Sequence, residues 1–414
     1  MTVEGWRSAT LGDVVVEILG GGTPDRRNPA FWNGKIPWAS VKDLCSPLRT
    51  GTEEAITESG LAASSARLVP AGTVVVGTRM APGRAVRFAI DVAINQDLKA
   101  IFPAKALSTD FLHQWLRARE EDIAARASGS TVKGIRLETL RAVPFLLPPL
   151  PEQRKIATIL SSVDDTIEAS QAVIDHLQVV KKAMMAELLT KGLPGRHKKF
   201  KQTEIGQVPD EWEVFPLAAC TARVTDGTHQ TPIFEKSGVP FLLVKSISSG
   251  RVRWSEGKFV SEKTYRELTK SWIPRRGDVL YTAVGATYGV AVSVDFDSPF
   301  TFQRHIAHIR PDASRLSSTF LTWFLNSPMG RKQADLAAVG NAQPTVTLGS
   351  LSRFSIPLPS LREQGEISEV LGCVDKRVLA EESVREHHLQ VKSALLSVLL
   401  TGEVRVRVDK DAAA

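Results

Sequence analysis

The sequence predicts a mixed α/β (α+β) fold: two globular mixed α/β domains separated by two long helices forming an antiparallel coiled coil, with an internal pseudo-twofold repeat. Three observations predict it. Residues 147–190 laid over 358–401, at a constant offset of 211 with no gap, are identical at 18 of 44 positions, where chance gives about three. Both copies carry heptad-spaced apolar residues. The stretches ahead of them hold short apolar runs bounded by Gly, Pro and charged residues, which read as strands in turn-rich domains. Expected boundaries are 1–150 for the first domain, 151–191 for the first helical spacer and 192–361 for the second domain, with 192–211 as the linker leading into it. The second spacer is 362–402, and 403–414 is a tail.

In order along the chain, the front block 1–150 shows a strand pattern over Gly72–Gly77 and a short helix pattern over Asp110–Ala118. The spacer then starts with Pro151 and Glu152, a proline suited to a first turn and an acid near the positive end of the helix dipole. Ile156, Leu160, Val163, Ile167, Ser170, Ile174, Leu177, Lys181, Met184 and Leu188 follow at alternating spacings of four and three, and no Gly or Pro intervenes before Gly192. Such a helix, about 38 residues or roughly 57 Å long, must bury its stripe, and its natural partner is its own duplicate. In that duplicate the seam is Ile367, Leu371, Val374, Val378, Leu395 and Leu399, interrupted by Glu381, Arg385, His388 and Lys392. A whole domain separates the copies, so an antiparallel pairing is expected.

Between the halves, KGLPGRHKKFKQT (191–203) has five Lys/Arg and no acid, and reads as an exposed linker and a candidate for phosphate contact. The second front block repeats the first with a drifting offset. Trp6 and Leu11 answer to Trp212 and Leu217, Thr23-Pro24 to Thr231-Pro232, Val41-Lys42 to Val244-Lys245, and Gln96 to Gln303. GTVVVGTRMAPG (72–83) answers to GDVLYTAVGATYG (277–289). Strands are expected at Val279–Tyr281 and Gly289–Val294, and a helix at Ser318–Asn326. A diverged front and a preserved back suggest two units doing one job on different targets.

At 414 residues with 43% apolar and 23% charged residues, the chain can bury two or three cores, and extended disorder is disfavoured. A formal charge of +7 suits a polyanion partner without proving one. Cys45, Cys220 and Cys373 are far apart with no CxxC or Cys/His spacing, which supports neither a disulfide framework nor a structural zinc and fits a reducing, cytoplasmic location. Neither a signal-peptide pattern nor a membrane-length apolar run is present, so no membrane partner is expected.

Catalytic signatures are missing. The chain contains no GxxxxGK[ST], HExxH or GxSxG pattern, and its eight histidines have no ligand spacing. Gly20-Gly21-Gly22 lacks the strand–GxGxxG–helix context and reads as a loop. Asn28-Pro29-Ala30-Phe31 only faintly resembles the NPP[YF] motif of amino-methyltransferases, and Glu256-Gly257-Lys258 has no well-spaced acidic partner for a nuclease. No metal or cofactor site is expected.

The remaining features suit DNA. Residues 241–280 hold nine Lys/Arg against four acids, interleaved with Trp254, Phe259, Tyr265 and Trp272. Cations position a protein on phosphates, whereas base edges need bidentate side chains such as Arg, Asn and Gln. Candidate DNA contacts in the first domain are Lys42, Arg79, Arg84, Asn95, Gln96 and Lys133. In the second they are Lys245, Arg251, Arg253, Arg275, Arg276, Tyr288, Gln303, Arg304 and His305.

LPPLPEQRKIATILSSVDDTI (147–167) resembles the conserved-region signature of type I restriction-modification specificity subunits, and LPSLREQGEISEVLGCVDKRV (358–378) repeats it. TEIGQVPDEWE (203–213) resembles the opening of a recognition domain in that family. The second signature departs at Arg362 and Gly365, where the first has Pro151 and Arg154. The resemblance implies a non-catalytic chain with two target-recognition domains, each reading one half of a bipartite, asymmetric site in double-stranded DNA. It implies helices that set the spacing and dock two modification (methyltransferase) subunits, with separate restriction subunits for translocation and cleavage. S-adenosylmethionine, ATP and Mg would belong to those partners, and none to this chain.

Overall fold

The computed structural model describes residues 3–45, 48–129, 132–270, 272–340 and 342–408, so the end of the tail, 409–414, lies outside the described residues. The chain forms two compact units, Met1–Ser170 with Val384–Ala414, and Gln171–Ser383. Each contains one front block and half of each long helix, Leu150–Lys191 and Leu361–Leu399.

In the first unit, Arg7–Thr10 pairs antiparallel with Pro144–Leu147, register Arg7 to Leu147. Among the described residues one sheet has the order Val15–Gly20, Leu98–Pro103, Val74–Gly77, Ala85–Phe88, Leu48–Arg49. A second has the order Glu54–Ile56, Trp32–Ala39, Val92–Ile94, Arg67–Val69, with Trp38 paired to Ala93 in parallel. The second unit repeats this plan. Glu213–Pro216 pairs with Ser355–Leu358, and Thr221–Asp226, Ile306–Pro311, Val279–Thr282 and Ala291–Ser293 form the main sheet in the same relative order. Phe241 pairs with Thr301 in parallel, as Trp38 does with Ala93. The strands and helices expected near 72–77, 110–118, 279–281, 289–294 and 318–326 all form within a few residues of those bounds.

Glu152-Gln153 and Glu363-Gln364, the repeated core of the two signatures, dock each front block on its helix. Gln153 is fully buried. Its Oε1 accepts from the backbone N–H of Ser108 (2.7 Å), and its Nε2 donates to the carbonyls of Ala106 and Pro148 (both 2.8 Å). Gln364 repeats the pattern with Ser317 N–H (2.8 Å) and the carbonyls of Arg315 (2.8 Å) and Pro359 (3.0 Å). The indole N–H of Trp6 donates to Glu152 at 3.0 Å and that of Trp212 to Glu363 at 3.2 Å. In the first unit Arg405 of the tail completes the carboxylate's shell; in the second, His197 does so at 2.8 Å. The 191–203 segment is therefore only partly an exposed linker. Lys198 and Lys199 face solvent, the His197 side chain is 3% exposed, and Phe200–Thr203 forms a hairpin with Gly206–Pro209.

The helices pair antiparallel within each unit. In the first, Ile156, Ala157 and Leu160 share a core with Leu399 and Leu400, and Lys392 meets Asp164 at 2.5 Å. In the second, Met185, Leu188 and Leu189 share a core with Ile367 and Leu371, and Lys181 meets Asp375 at 2.5 Å. The repeat offset carries Asp164 onto Asp375 and Lys181 onto Lys392, so these are one ion pair written twice. Lys392, a break in the second apolar seam by sequence, is 9% exposed and tied to this carboxylate. Of the other seam positions, Ile156, Leu160, Ile174, Leu188, Ile367, Leu371, Val378 and Leu399 are buried, and Val163, Ile167, Leu177, Val374 and Leu395 are half-buried. The glycine at 365 does not delay the second helix, which begins at Leu361 and gains an Arg362–Glu366 pair at 3.0 Å.

Candidate nucleic-acid interface

Each unit has a groove at the same place in its fold, where a glycine-containing loop crosses the end of the parallel strand pair. In the first unit the loop 20–24 approaches so closely that a Cβ on Gly21 would lie 1.8 Å from the Ile94 carbonyl oxygen. The Gly22 N–H bonds that same carbonyl (3.0 Å), and the Trp38 indole bonds Gly22 O (3.1 Å). In the second unit a Cβ on Gly227 would meet Phe302 O at 2.2 Å, and Thr228 N–H bonds that oxygen at 3.1 Å. Glycine serves here for close backbone approach. Asn28 is a helical cap, its side chain accepting from Ala30 N–H at 3.1 Å.

The first groove, about 410 Å³, is lined by Thr23, Arg26, Trp38, Lys42, Met80, Asn95 and Gln96 among others. The second, about 330 Å³, is lined by His229, Gln230, Phe234, Phe241, Lys258 and Gln303–His305 among others. Repeated positions line both: Thr23 and Thr231, Trp38 and Phe241, Gln96 and Gln303. The chemistry on that common frame differs. Thr23 Oγ1 donates to Gln96 Oε1 at 2.5 Å, which orients an exposed amide whose Nε2 is a donor. In the second unit Arg304 Nε donates to His305 Nε2 at 3.3 Å. Burial, then the charge of Arg304, holds the His305 imidazole below its usual pKa, which favours the neutral ring; with Arg304 donating to Nε2, the ring proton sits on Nδ1, a donor.

The fold brings together some of the candidate DNA contacts. Lys42, Asn95 and Gln96 line the first groove. Arg79 is 3.7 Å from Asp97, which also lines it, and is bridged to Gly134 next to Lys133. Gln303, Arg304 and His305 line the second groove. Asn95 is buried and its Oδ1 accepts from Asp97 N–H (3.0 Å), so it shapes the loop carrying Gln96. The equivalent lysines Lys42 and Lys245 make exposed pairs with Glu53 (3.7 Å) and Glu256 (2.9 Å), contacts weak enough to exchange for phosphate.

Other candidates are placed elsewhere. Arg84 pairs with Glu120 (3.1 Å) and Tyr288 OH donates to Asp335 (2.7 Å), each pinning its loop to a helix. Arg275 and Arg276 precede the strand Val279–Thr282, at the end opposite Ala283, whose N–H bonds His305 O; Arg276 pairs with Asp297 at 2.9 Å. Arg251 lies 3.5 Å from both Asp375 and Glu382 of the long helix, while Arg253 is exposed.

Arg26, Phe234 and Met80 line the grooves and were not among the sequence candidates, while Lys258 came from the basic run. The Arg26 guanidinium lies 3.9 Å over the Trp32 ring and pairs with Glu54, whose carboxyl it holds below the usual carboxylate range. Lys258 lies 4.2 Å over the Phe234 ring. Arg26 and Phe234 each stand two residues past the repeated Thr-Pro, a signal present in the sequence. Met80 had no such signal. Among the described residues no cluster of His, Cys, Asp and Glu could hold a metal ion, and no helix is long and apolar enough to cross a membrane.

Comparison with known proteins agrees with this duplicated plan. The profile of the type I restriction modification DNA specificity domain matches twice, at residues 3–179 and 209–386. The type I restriction enzyme MjaVIII specificity subunit of Methanocaldococcus jannaschii is 27% identical over 307 residues, covering 73% of this chain and 72% of that one. The MjaIX specificity subunit of the same organism is 24% identical over 401 residues, covering 94% and 91%. The crystal structure of a type I restriction-modification S subunit from M. genitalium has the same fold, with a TM-score of 0.58 at 14% identity over 96% of each chain. With two domain matches that together take in most of its length, this chain belongs to the type I restriction-modification DNA specificity family.

Proposed function

We propose that each groove reads one half of a bipartite, asymmetric site in double-stranded DNA. The chain is the non-catalytic DNA-recognition subunit of a type I restriction-modification complex. The observation that carries the half-site reading is the pair of grooves at repeat-equivalent positions, built on one backbone frame and lined by different hydrogen-bonding groups. One frame with two linings is what two different half-sites require. Lys42, Lys133 and Lys245 serve phosphates in this reading, and Gln96, Gln303, Arg304 and His305 address base edges. The expected partners are two modification subunits, which carry S-adenosylmethionine, and restriction subunits, which carry ATP and Mg; the site of action is the cytoplasm.

Deleting the gene in its native host and mapping modified adenine across the genome tests this. Loss of one bipartite, asymmetric methylated motif is the expected result; an unchanged pattern would sink the reading and favour a protein-binding scaffold.

The paired helices act as a ruler, since half-sites must fall about one DNA turn (~34–36 Å) apart to present one side to two similar readers. Inserting one four-residue turn within 168–180 adds roughly 6 Å. Its matching insertion in the duplicate keeps the helices in register. The expected outcome in the methylated motif is a spacer longer by about one or two base pairs with both half-sites intact. A changed half-site with an unchanged spacer would refute the ruler.

A further inference from the structure

Met80 stands at the rim of the first groove in a backbone conformation that its own side chain disfavours. Its φ is +63°, in the left-handed region, where a residue with a Cβ is strained by roughly 1–2 kcal/mol. The turn is held by Met80 N–H donating to Lys133 O at 3.0 Å. The second unit makes the same turn: Gly285, the repeat equivalent of Met80, has φ +97° and donates its N–H to Pro344 O at 2.9 Å. The turn therefore needs no side chain, and glycine supplies it without strain. Among the described residues its side chain joins none of the hydrophobic cores. It is 69% exposed and lines the first groove, next in sequence to Arg79 and bonded through its backbone N–H to the segment carrying Lys133. An apolar, strained, solvent-facing side chain flanked by cations at a polar groove is explained by a ligand with an apolar feature among phosphates.

We propose that Met80 is a specificity-determining residue that contacts the C5-methyl group of a thymine in the first unit's half-site; this rests on the half-site reading above. Thymine's methyl is the apolar element of the major-groove base edges. An unbranched thioether can follow it while Arg79 and Lys133 hold the adjoining phosphates. The second unit, with glycine at the position, reads no thymine through it.

The test uses the full chain co-purified with its modification subunits, comparing Met80→Gly with wild type. Met80→Gly copies the second unit, so its thermal midpoint should be unchanged or higher, which separates a lost contact from a lost fold. One half-site should lose preference at one T·A pair by about fourfold, as expected for one buried methyl, with the other half-site and the spacer unchanged. Replacing that thymine with deoxyuridine, which lacks only the methyl, should weaken wild-type binding by the same factor and leave Met80→Gly indifferent. An unchanged motif in Met80→Gly, or equal sensitivity of both proteins to deoxyuridine, overturns the assignment while leaving the half-site reading standing. A wild-type complex with no bipartite motif overturns both.

Discussion

Asp164→Ala is expected to lower the unfolding free energy of the first unit by roughly 3–5 kcal/mol, the usual penalty for stranding buried charge. The carboxylate is 15% exposed and accepts from Lys392 (2.5 Å), Arg117 (2.5 and 3.2 Å) and Gln114 (2.9 Å). It thus ties together the two long helices and the helix Thr109–Ala118 of the front block. Removing it leaves the side chains of Lys392 and Arg117, 11% and 19% exposed, facing each other. Lys392→Met should cost far less, about 1 kcal/mol, because Asp164 keeps Arg117. Lys392 already gains least from the arrangement, since burial and the nearby Arg117 hold its ammonium below the usual pKa. Denaturant titration of the purified variants checks the ranking, and equal losses would contradict it.

The same site sets an acid limit. Burial alone would raise the Asp164 pKa, but Arg117, Lys392 and Gln114 together hold it below the ordinary 3.8. A carboxylate with a depressed folded value contributes stability that is fully present above its unfolded value and lost as pH falls through the folded one. The wild-type contribution should therefore be flat from pH 5 to 8 and decline only below about pH 4. In Asp164→Ala that part of the acid transition should disappear.

Gln153→Ala and Gln364→Ala should each destabilise their unit by roughly 3–5 kcal/mol, and by nearly equal amounts. Each side chain is fully buried and satisfies one backbone N–H and two carbonyls. Truncation removes the side-chain partner of all three groups, one of which, the Pro148 or Pro359 carbonyl, is buried. The residues sit in different units, so the double variant should approach the sum of the singles. Hydrogen exchange is the sharper measurement: protection should fall first at Ser108 in one variant and at Ser317 in the other. A loss confined to distant strands would argue against the docking role.

The architecture was legible because duplication and periodicity are one-dimensional signals. A constant offset located both helices, and a four-three spacing located the stripe each must bury. The repeated Glu-Gln was visible as a motif, but its work was not. A glutamine that binds backbone carbonyls 5 and 47 residues away carries no local signature of it. The basic run 241–280 was equally visible, yet folding disperses it: Lys258 goes to the groove, Arg251 to the long helix, and Arg276 to the far end of a strand. Linear charge density says how many cations a segment carries, whereas strand direction decides which surface each reaches.

By itself, then, the sequence determined the repeat, the helix pairing, the family resemblance and the absence of catalytic motifs, all of which follow from residue spacing along the chain. Only the tertiary structure decided which lysine meets which aspartate in the seam, which polar residues share a groove, and that Met80 occupies a turn its duplicate builds with glycine. Those depend on backbone conformation and on contacts between segments far apart in sequence, where φ, burial and distance are set by the fold as a whole.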